Sequence, residues 1–239
     1  MRLDKYLVDE GYFESRNRAN DAIKAGLVTV DEKKGKPSSK IDTNTIVKVK
    51  ESKFYVSRAA RKLENFLSEY SIPMKNKRAL DIGSSTGGFA QIVLENEVDT
   101  LNCVDVGSNQ LHISLRDNTK ISLHEETDIR EYYSEKTFEL ITCDVSFISI
   151  LQIINDINRL AKNSTDIIIL YKPQFEVGKD VKRDSKGVVQ DLDAINRQKE
   201  KFEAEARLLG WVEKYKSKSK VIGKEGNQEY LYYFVKMDK

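Results

Sequence analysis

Cysteine is scarce in this chain, which has only Cys103 and Cys143 among 239 residues. Each lies inside an apolar run that predicts a buried strand. A disulfide framework of the kind that stabilises small secreted proteins is therefore not expected. We predict a protein of a reducing cytoplasm.

Long apolar runs are also missing. No stretch approaches the roughly 20 apolar residues that cross a bilayer. The opening residues, MRLDKYLVDE, lack the apolar core of a signal peptide. We therefore expect no insertion into a membrane.

The chain has no large excess of either charge, since 40 Lys and Arg are balanced by 38 Asp and Glu. The net charge of +2 gives little support to nucleic-acid binding. Its distribution is more informative, because residues 1–58 carry 13 basic and 9 acidic side chains, whereas the rest carries 27 and 29. This local excess fits either an RNA-binding surface or a solvated face rich in both charges.

The first fifty residues predict a compact unit of two helices and two strands. Apolar residues at helical spacing indicate one helix over 2–10, ended by Gly11, and another from the N-cap residue Ser15 to Ala25, ended by Gly26. Strand-like runs follow at 27–30 and 46–50, joined by a polar loop over 31–45.

Several short motifs in this unit resemble the S4 RNA-binding domain. They are R-L-D-K at 2–5, S-R at 15–16, I-x-x-G-x-V-x-V at 23–30 and K-P at 36–37. The resemblance implies a small α+β module that contacts the phosphates of a structured RNA. The basic side chains expected to make these contacts are Arg2, Lys5, Arg16, Arg18 and Lys24.

We assign residues 1–52 to this domain, 53–56 to a linker and 57–239 to a second domain. A new helix is predicted from the N-cap candidate Ser57, and apolar strands then alternate with helices, as in an α/β fold with a parallel sheet covered on both faces. Strands are predicted at 77–82, 100–106, 121–124, 138–143, 166–171, 211–218 and 229–236. Helices are predicted at 88–96, 109–115, 150–162 and 193–209. With a hairpin across 223–227, this predicts a seven-stranded, Rossmann-like sheet, which resembles the arrangement found in methyltransferases.

A glycine-rich segment, LDIGSSTGGF at 80–89, follows the first of these strands and opens a helix. Such a turn brings backbone amides close to a ligand. The G-x-G-x-x-G signature of dinucleotide sites does not fit it. The D-x-G-x-x-x-G-G pattern resembles motif I of S-adenosylmethionine-dependent methyltransferases. The resemblance implies cofactor contacts from Asp81, Gly83, Ser84, Ser85, Thr86, Gly87, Gly88 and Phe89.

Two acidic residues extend this cofactor site. Asp105 lies 22 residues beyond Gly83, at the end of the second strand, where a carboxylate accepts from ribose hydroxyls of a nucleoside cofactor. In the same resemblance Asp128, after the third strand, reaches the adenine amino group. Acidic residues at strand ends are also common as solvated caps.

Four charged residues, Lys62, Asp144, Lys172 and Glu229, resemble in their chain order the catalytic set of ribose 2′-O-methyltransferases. That reaction needs a basic group beside the attacking hydroxyl. The pKa of free lysine is about 10.4, so a lysine that acts as this base needs burial or cationic neighbours to lower its pKa. Each residue alone is more typical of a surface, but their joint occurrence favours a site.

The sequences around these four residues resemble the TlyA, or haemolysin A-like, family, whose members share the catalytic tetrad of FtsJ-type methyltransferases. They are SRAARKL at 57–63, DVSFIS at 144–149, KPQFE at 172–176 and GNQEY at 226–230. The resemblance implies that Lys172 acts on the 2′-hydroxyl, that Lys62 and Glu229 tune and position it, and that Asp144 holds Lys172 and borders the methyl end of the cofactor. No metal is implied.

The implied substrate is a cytidine of ribosomal RNA. A start at the S4 motif and an end soon after the last strand resemble the shorter family form, which implies the large-subunit 23S RNA and leaves 16S RNA open. The polar segment 174–191, with Lys179, Lys182, Arg183 and Lys186, is a candidate RNA-gripping lid. Phe147 or Phe175 is a candidate to stack on an extruded nucleotide, although core packing is the commoner role of such residues.

Three other functions stay open at this stage. A haemolytic, membrane-active role has no apolar or strongly amphipathic element to support it. An RNA base methyltransferase would more typically carry an N-P-P-Y-type loop where this chain has DVSF at 144–147, and Cys143 does not look like a nucleophile because it is predicted to be buried. A non-catalytic RNA chaperone would bind RNA and leave S-adenosylmethionine unused.

Overall fold

The computed structural model describes residues 1–10, 12–13, 15–42, 45–50 and 53–237. The chain forms two compact units, Met1–Phe54 and Tyr55–Lys239. Gly11, predicted to end the first helix, lies outside the described residues, as do residues 51 and 52 at the end of the predicted first domain.

The N-terminal unit contains the two predicted helices, α1 (Leu3–Asp9) and α2 (Arg16–Lys24). Ser15 is the N-cap of α2, as predicted, and its side chain accepts a hydrogen bond from the backbone N–H of Arg18. The helices pack on strands β1 (Val28–Val30), β2 (Lys33–Lys34) and β3 (Val47–Val49). The small core consists of Leu3, Leu7, Ala19, Ala22, Ile23, Val28 and Ile41.

Strand β2 was not predicted, because it lies in the segment that we expected to be a polar loop. It pairs antiparallel with β1 across Asp31 and Glu32, which have φ angles of 48° and 65°. A two-residue hairpin turn of type I′ needs positive φ at both central residues. Asp31 is common at the first of these positions, but Glu32 stands where the usual pattern has glycine, so the sequence did not indicate this turn.

In the described part of the second unit, seven strands form one sheet in the order β6-β5-β4-β7-β8-β10-β9. The first five strands in this order are parallel, and β10 runs antiparallel to both β8 and β9. The predicted Rossmann-like sheet with a final antiparallel hairpin is therefore confirmed. The strands are β4 (Arg78–Ile82), β5 (Thr100–Val104), β6 (Ile121–His124), β7 (Phe138–Cys143), β8 (Ala161–Tyr171), β9 (Trp211–Lys218) and β10 (Tyr230–Lys236).

Helices cover both faces of this sheet. One apolar core includes residues of α3 (Arg58–Glu69) and α4 (Gly88–Glu95), and the other includes residues of α6 (Ile154–Leu160) and α8 (Leu192–Leu208). Two four-residue helices, α5 (Ile113–Arg116) and α7 (Pro173–Glu176), lie in the loops.

Two helix predictions need correction. The helix expected at 109–115 is reduced to α5. The helix expected at 150–162 consists of a 3-10 turn (Ile150–Gln152) and α6, and residues 161 and 162 belong to β8, which was predicted to begin at 166. Buried Ile150, Ile153, Ile154 and Ile157 keep a helical spacing across the break, so the apolar pattern did not reveal it.

The topology brings the ends of several strands to one edge of the sheet. Strands β4, β5, β7 and β8 are parallel, so the residues that follow them lie at the same edge. Strand β10 runs the opposite way, and its first residue, Tyr230, pairs with the last residue of β8, Tyr171. The residue before β10 is therefore delivered to this edge too.

Candidate active site

Two ion pairs lie at this edge and contain all four residues of the predicted tetrad. Lys172 Nζ lies 2.6 Å from Asp144 Oδ1 and donates a hydrogen bond of 2.8 Å to Ser146 Oγ. Lys62 Nζ donates a hydrogen bond of 2.5 Å to Glu229 Oε2. These side chains are between 3% and 13% exposed, so both pairs are buried.

The last residue of β4 and the glycine that follows it support Asp144 through close backbone contacts. The N–H of Asp144 donates to the carbonyl of Ile82 at 2.9 Å. Gly83 has a φ of +75°, and a Cβ atom added there would lie 2.9 Å from the carbonyl oxygen of Asp144. Only glycine combines this backbone conformation with this close approach.

The tetrad residues also act on one another electrostatically. Burial raises the pKa of Asp144, Lys172 and Lys62 oppose this rise, and Glu229 adds to it. A buried carboxylate beside two ammonium groups and a second carboxylate forms one coupled cluster. Perturbed titration of this kind in a cleft is typical of functional sites.

A cavity of about 340 Å³ opens next to Asp144. This volume is within the range of small-molecule sites. Of the predicted cofactor residues, five line it: Gly83, Ser85, Asp105, Asp128 and Asp144. Lining residues that the sequence analysis did not single out for the cofactor include Val106, Gln110, Thr127, Ile129, Val145 and Ser146.

Asp105 is held rigidly in this cavity. Its Oδ2 accepts a hydrogen bond of 2.8 Å from the N–H of Ser85, and its Oδ1 accepts one of 2.7 Å from the N–H of Gly107. Ser85 Oγ in turn donates to Gln110 Oε1 at 2.9 Å. The carboxylate therefore has a fixed orientation at the end of β5.

Asp128 also lines the cavity, but its carboxylate has a partner of its own. Arg130 Nη2 lies 2.6 Å from Asp128 Oδ2, and this hydrogen-bonded pair lowers the pKa of Asp128. The predicted contact with an adenine amino group would have to be shared with this arginine.

Asp81 and Phe89 face the protein interior rather than the cavity. Asp81 is fully buried and accepts a hydrogen bond of 2.7 Å from the Thr142 hydroxyl, and burial raises its pKa to about 7. Side chains alternate across a strand, so Asp81 points to the face opposite Leu80 and Ile82. Phe89 is 2% exposed in the core beside α3 and α4.

The remaining motif residues shape the turn rather than line the cavity. They are Ser84, Thr86, Gly87 and Gly88. Gly87 is the N-cap of α4 with a φ of +89°. A Cβ atom on Gly88 would lie 2.2 Å from Ser57 Oγ, so this glycine permits close packing against the start of α3. Ser57 is the N-cap residue of α3, as predicted, although its hydroxyl makes no capping hydrogen bond.

In the N-terminal unit, the predicted RNA-binding arginines Arg2 and Arg16 share a buried partner, Asp4. Arg2 Nε lies 2.9 Å and Arg16 Nη2 lies 2.7 Å from this carboxylate, and the two arginine side chains are 53% and 58% exposed. Lys5 and Lys24 are exposed. Arg18 is partly buried, with its guanidinium 5.3 Å from the centroid of the Phe54 ring.

The candidate lid, residues 174–191, has an internal framework. Arg183 donates hydrogen bonds to the carbonyl oxygens of Gln174 at 3.0 Å and Gly178 at 2.9 Å. Its guanidinium therefore braces the segment, whereas the candidate RNA contacts Lys179, Lys182 and Lys186 are exposed. Beside this segment Phe147 is 91% exposed, with its ring 5.0 Å from that of Phe175.

The described residues contain no group of three or more His, Cys, Asp or Glu side chains arranged to hold a metal ion. Among the helices within those residues, none is long and apolar enough to span a membrane.

Comparison with known families gives two matches. Residues 55–236 match the FtsJ-like methyltransferase family, and residues 1–47 match the S4 domain.

Individual relatives extend these matches. The chain is 57% identical over 185 residues to the 23S rRNA (cytidine-2′-O)-methyltransferase TlyA of Campylobacter jejuni, covering 77% of this chain and 72% of that protein. It is 35% identical over 236 residues to the 16S/23S rRNA (cytidine-2′-O)-methyltransferase TlyA of Mycobacterium tuberculosis, covering 96% and 88%. A solved structure from Streptococcus thermophilus, provisionally described as a hemolysin, is 32% identical with a TM-score of 0.74, covering 100% of this chain and 89% of its own.

Proposed function

Because the chain belongs to the FtsJ-like methyltransferase family and carries an S4 domain, we propose that it is a ribosomal RNA (cytidine-2′-O)-methyltransferase that uses S-adenosylmethionine and acts in the cytoplasm. The observation that carries this proposal is the pair of buried ion pairs, Lys172 with Asp144 and Lys62 with Glu229, at the edge of the sheet where the cavity opens.

The cavity fits a nucleoside cofactor. Asp105 presents a carboxylate that backbone N–H groups hold in place, as binding of ribose hydroxyls requires. Gly83 leaves the floor of the cavity free of a side chain next to Asp144. Ser85, Asp105 and Asp128 would hold the nucleoside end, with Asp144 near the methyl end. When bound, S-adenosylmethionine supplies an electrophilic methyl group.

The chain's own residues would then prepare the attacking hydroxyl. Asp144 and Ser146 hold the Lys172 ammonium from two sides, which fixes the direction of its remaining hydrogen-bonding position. A ribose 2′-hydroxyl placed there would be oriented by Lys172, and its proton would pass to Lys172 in the uncharged amine form, which returns that side chain to the ammonium. Lys62 and Glu229 would adjust the electrostatics around Lys172 through its partner Asp144, because Lys62 lowers and Glu229 raises the pKa of Asp144. Burial of all four excludes competing water.

The RNA substrate is supported by the first unit of the chain. Arg2 and Arg16 present more than half of their side-chain surface while Asp4 orients their guanidinium groups, an arrangement suited to phosphate contacts. The Campylobacter jejuni relative is named for 23S RNA, so we propose a large-subunit cytidine as the main target. The name of the Mycobacterium tuberculosis relative includes 16S RNA as well, which makes the small subunit a second candidate.

The test is an incubation of the purified protein with methyl-labelled S-adenosylmethionine and separate large and small ribosomal subunits lacking the modification. We expect label in 23S RNA at a cytidine whose 3′-phosphodiester becomes resistant to alkali, as a 2′-O-methyl group requires. Label on a base, with alkali sensitivity unchanged, would contradict the proposal and favour a base methyltransferase. RNA binding without label would instead favour a chaperone.

A further inference from the structure

The short helix α7 directly follows Lys172 and ends in a buried acid, Glu176. Glu176 is 8% exposed. Its Oε2 accepts a hydrogen bond of 2.5 Å from Ser149 Oγ, and its Oε1 accepts one of 2.9 Å from the N–H of Ile150. Ser149 and Ile150 belong to the loop that begins at Asp144. One carboxylate therefore links the segment that carries Lys172 to the segment that carries Asp144.

Helix α7 also contacts the segment that carries Glu229. Gln174 Nε2 donates a hydrogen bond of 3.2 Å to Glu229 Oε1. The backbone carbonyl of Gln174 accepts from Arg183, which anchors this end of α7 to the following segment. Helix α7 therefore contacts the segments that carry Asp144 and Glu229 and directly follows Lys172. Three of the four tetrad residues are connected through this one helical turn.

The loop between Asp144 and Ser149 contains a residue in a strained backbone conformation, which contacts from outside the loop must hold in place. Phe147 has a φ of +66° and is 91% exposed. A bulky residue rarely adopts this conformation, which is strained and persists only where the surroundings enforce it. Ile148 and Ile150 hold the end of this loop by packing in the core, whereas the Phe147 ring is exposed. The hydrogen bonds from Ser149 and Ile150 to Glu176 add a directional, polar restraint to this packing.

We infer that Glu176 is a positioning residue for methyl transfer, which sets the geometry of the Lys172–Asp144 pair by fixing the loop at 144–150 against α7. The inference rests on the proposed function. A catalytic group displaced by about 1 Å loses roughly a hundredfold in rate. Burial without a cation also raises the pKa of Glu176, so this acid is held at an energetic cost that a surface residue would avoid.

The experiment compares Glu176→Ala and Glu176→Gln in the full chain, with methyl transfer to large subunits as the assay. We expect Glu176→Ala to lower kcat at least about tenfold. The KM for RNA should stay within about threefold. The Kd for S-adenosylmethionine should rise by a smaller factor than kcat falls, because Glu176 itself does not line the cavity although residues 144–148 of the loop do. Glu176→Gln should restore kcat to within about threefold of wild type, since an amide can accept from Ile150 and donate to Ser149.

Two further variants separate positioning from simple loss of stability. Ser149→Ala removes one of the two hydrogen bonds and should lower kcat by a smaller factor, about threefold. Thr165→Val is the matched control, because the buried Thr165 hydroxyl donates to the carbonyl of Phe138 at 2.6 Å, far from the tetrad along β8. It should lower the melting temperature and leave kcat within about twofold.

Unchanged kcat in Glu176→Ala, or a loss no larger than in Thr165→Val, would overturn the inference while leaving the proposed function intact. A Glu176→Gln variant as slow as Glu176→Ala would also overturn it, since the negative charge rather than the two hydrogen bonds would then matter. Failure of the wild-type protein to transfer methyl groups would overturn the proposed function and this inference together.

Discussion

Each unit of the molecule buries an aspartate beside cationic side chains, yet the two aspartates respond in opposite ways. In the N-terminal unit, hydrogen bonds from Arg2 and Arg16 lower the pKa of Asp4. In the methyltransferase unit, burial raises the pKa of Asp144, although Lys172 lies 2.6 Å away. The charged form is favoured in the first setting and penalised in the second.

The difference lies in where the cations are. The arginines around Asp4 are more than half exposed, so they keep their hydration while they donate several hydrogen bonds to one carboxylate. Around Asp144 both partners are buried, and the loss of hydration offsets their attraction. The arginines around Asp4 leave positive charge exposed to a binding partner, whereas the charges around Asp144 are buried next to the cavity.

The largest expected effect tests the buried cluster. Lys172→Ala should lower kcat for methyl transfer by at least about a hundredfold, because it removes the group beside the attacking hydroxyl. Filter-bound label on large subunits measures the effect. Lys162→Ala is the control, since Lys162 forms an exposed pair with Glu139 and should retain activity within about twofold. Full activity of the Lys172→Ala variant would contradict the assignment of these four residues as the catalytic tetrad.

A smaller loss is expected from Glu229→Gln. The amide keeps the size of the side chain but removes the charge that pairs with Lys62, so kcat should fall about tenfold or more. Glu139→Gln changes an exposed ion pair in the same way and should have little effect on steady-state rates. Equal rates for both variants would show that the buried pair is no more important than the exposed one.

The pH dependence of stability should separate the two aspartates by sign. Asp4 has a lowered pKa in the folded protein, so its contribution is present above its unfolded pKa, near about 4, and is lost as the pH falls. Asp144 has a raised pKa, so its contribution is present below about pH 4 and is lost as the pH rises.

Urea unfolding followed across this pH range measures both effects. Asp4→Asn should flatten the acid limb, and Asp144→Asn should flatten the limb on which stability falls with rising pH. If both variants changed the same limb, the contrast between the two units would be wrong.

The smallest effect concerns the exposed arginines. Arg16→Ala should weaken binding to large subunits several-fold and reduce the slope of log affinity against log salt concentration by about one, because one phosphate contact is lost. Arg207→Ala, on the exposed surface of α8, is the control and should leave the slope unchanged. Fluorescence anisotropy over a salt series distinguishes the two. An unchanged slope for Arg16→Ala would argue against this arginine as a phosphate contact.

Much of the fold was predictable because its elements carry strong local patterns. The strand at 138–143 and the helix at 193–209 were recognised from apolar spacing and agree with β7 and α8 to within a residue at each end. The elements that were missed carry weak patterns. Strand β2 consists of two exposed lysines, and the first half of β8 contains exposed residues 162–164.

The site was predictable in part for the same reason. Asp105 and Asp144 follow buried strands, and both line the cavity. Asp81 and Phe89 belong to the same motif as Gly83 but face the interior, because strand alternation and helix packing decide which side chains reach a ligand. The contacts of Glu176 could not be foreseen, since Ser149 lies 27 residues earlier in the chain.

The sequence by itself determined the kinds of chemistry available: a basic N-terminal unit, a glycine-rich turn after a strand, and two lysines and two acids in a fixed order. It did so because residue types, glycine positions and apolar spacing are local properties. The resemblance already implied that Asp144 holds Lys172, but only the tertiary structure decided that Lys62 pairs with Glu229. The partners of Lys62 and Lys172 are set by the strand order of the sheet, which joins positions 167 residues apart and buries them together.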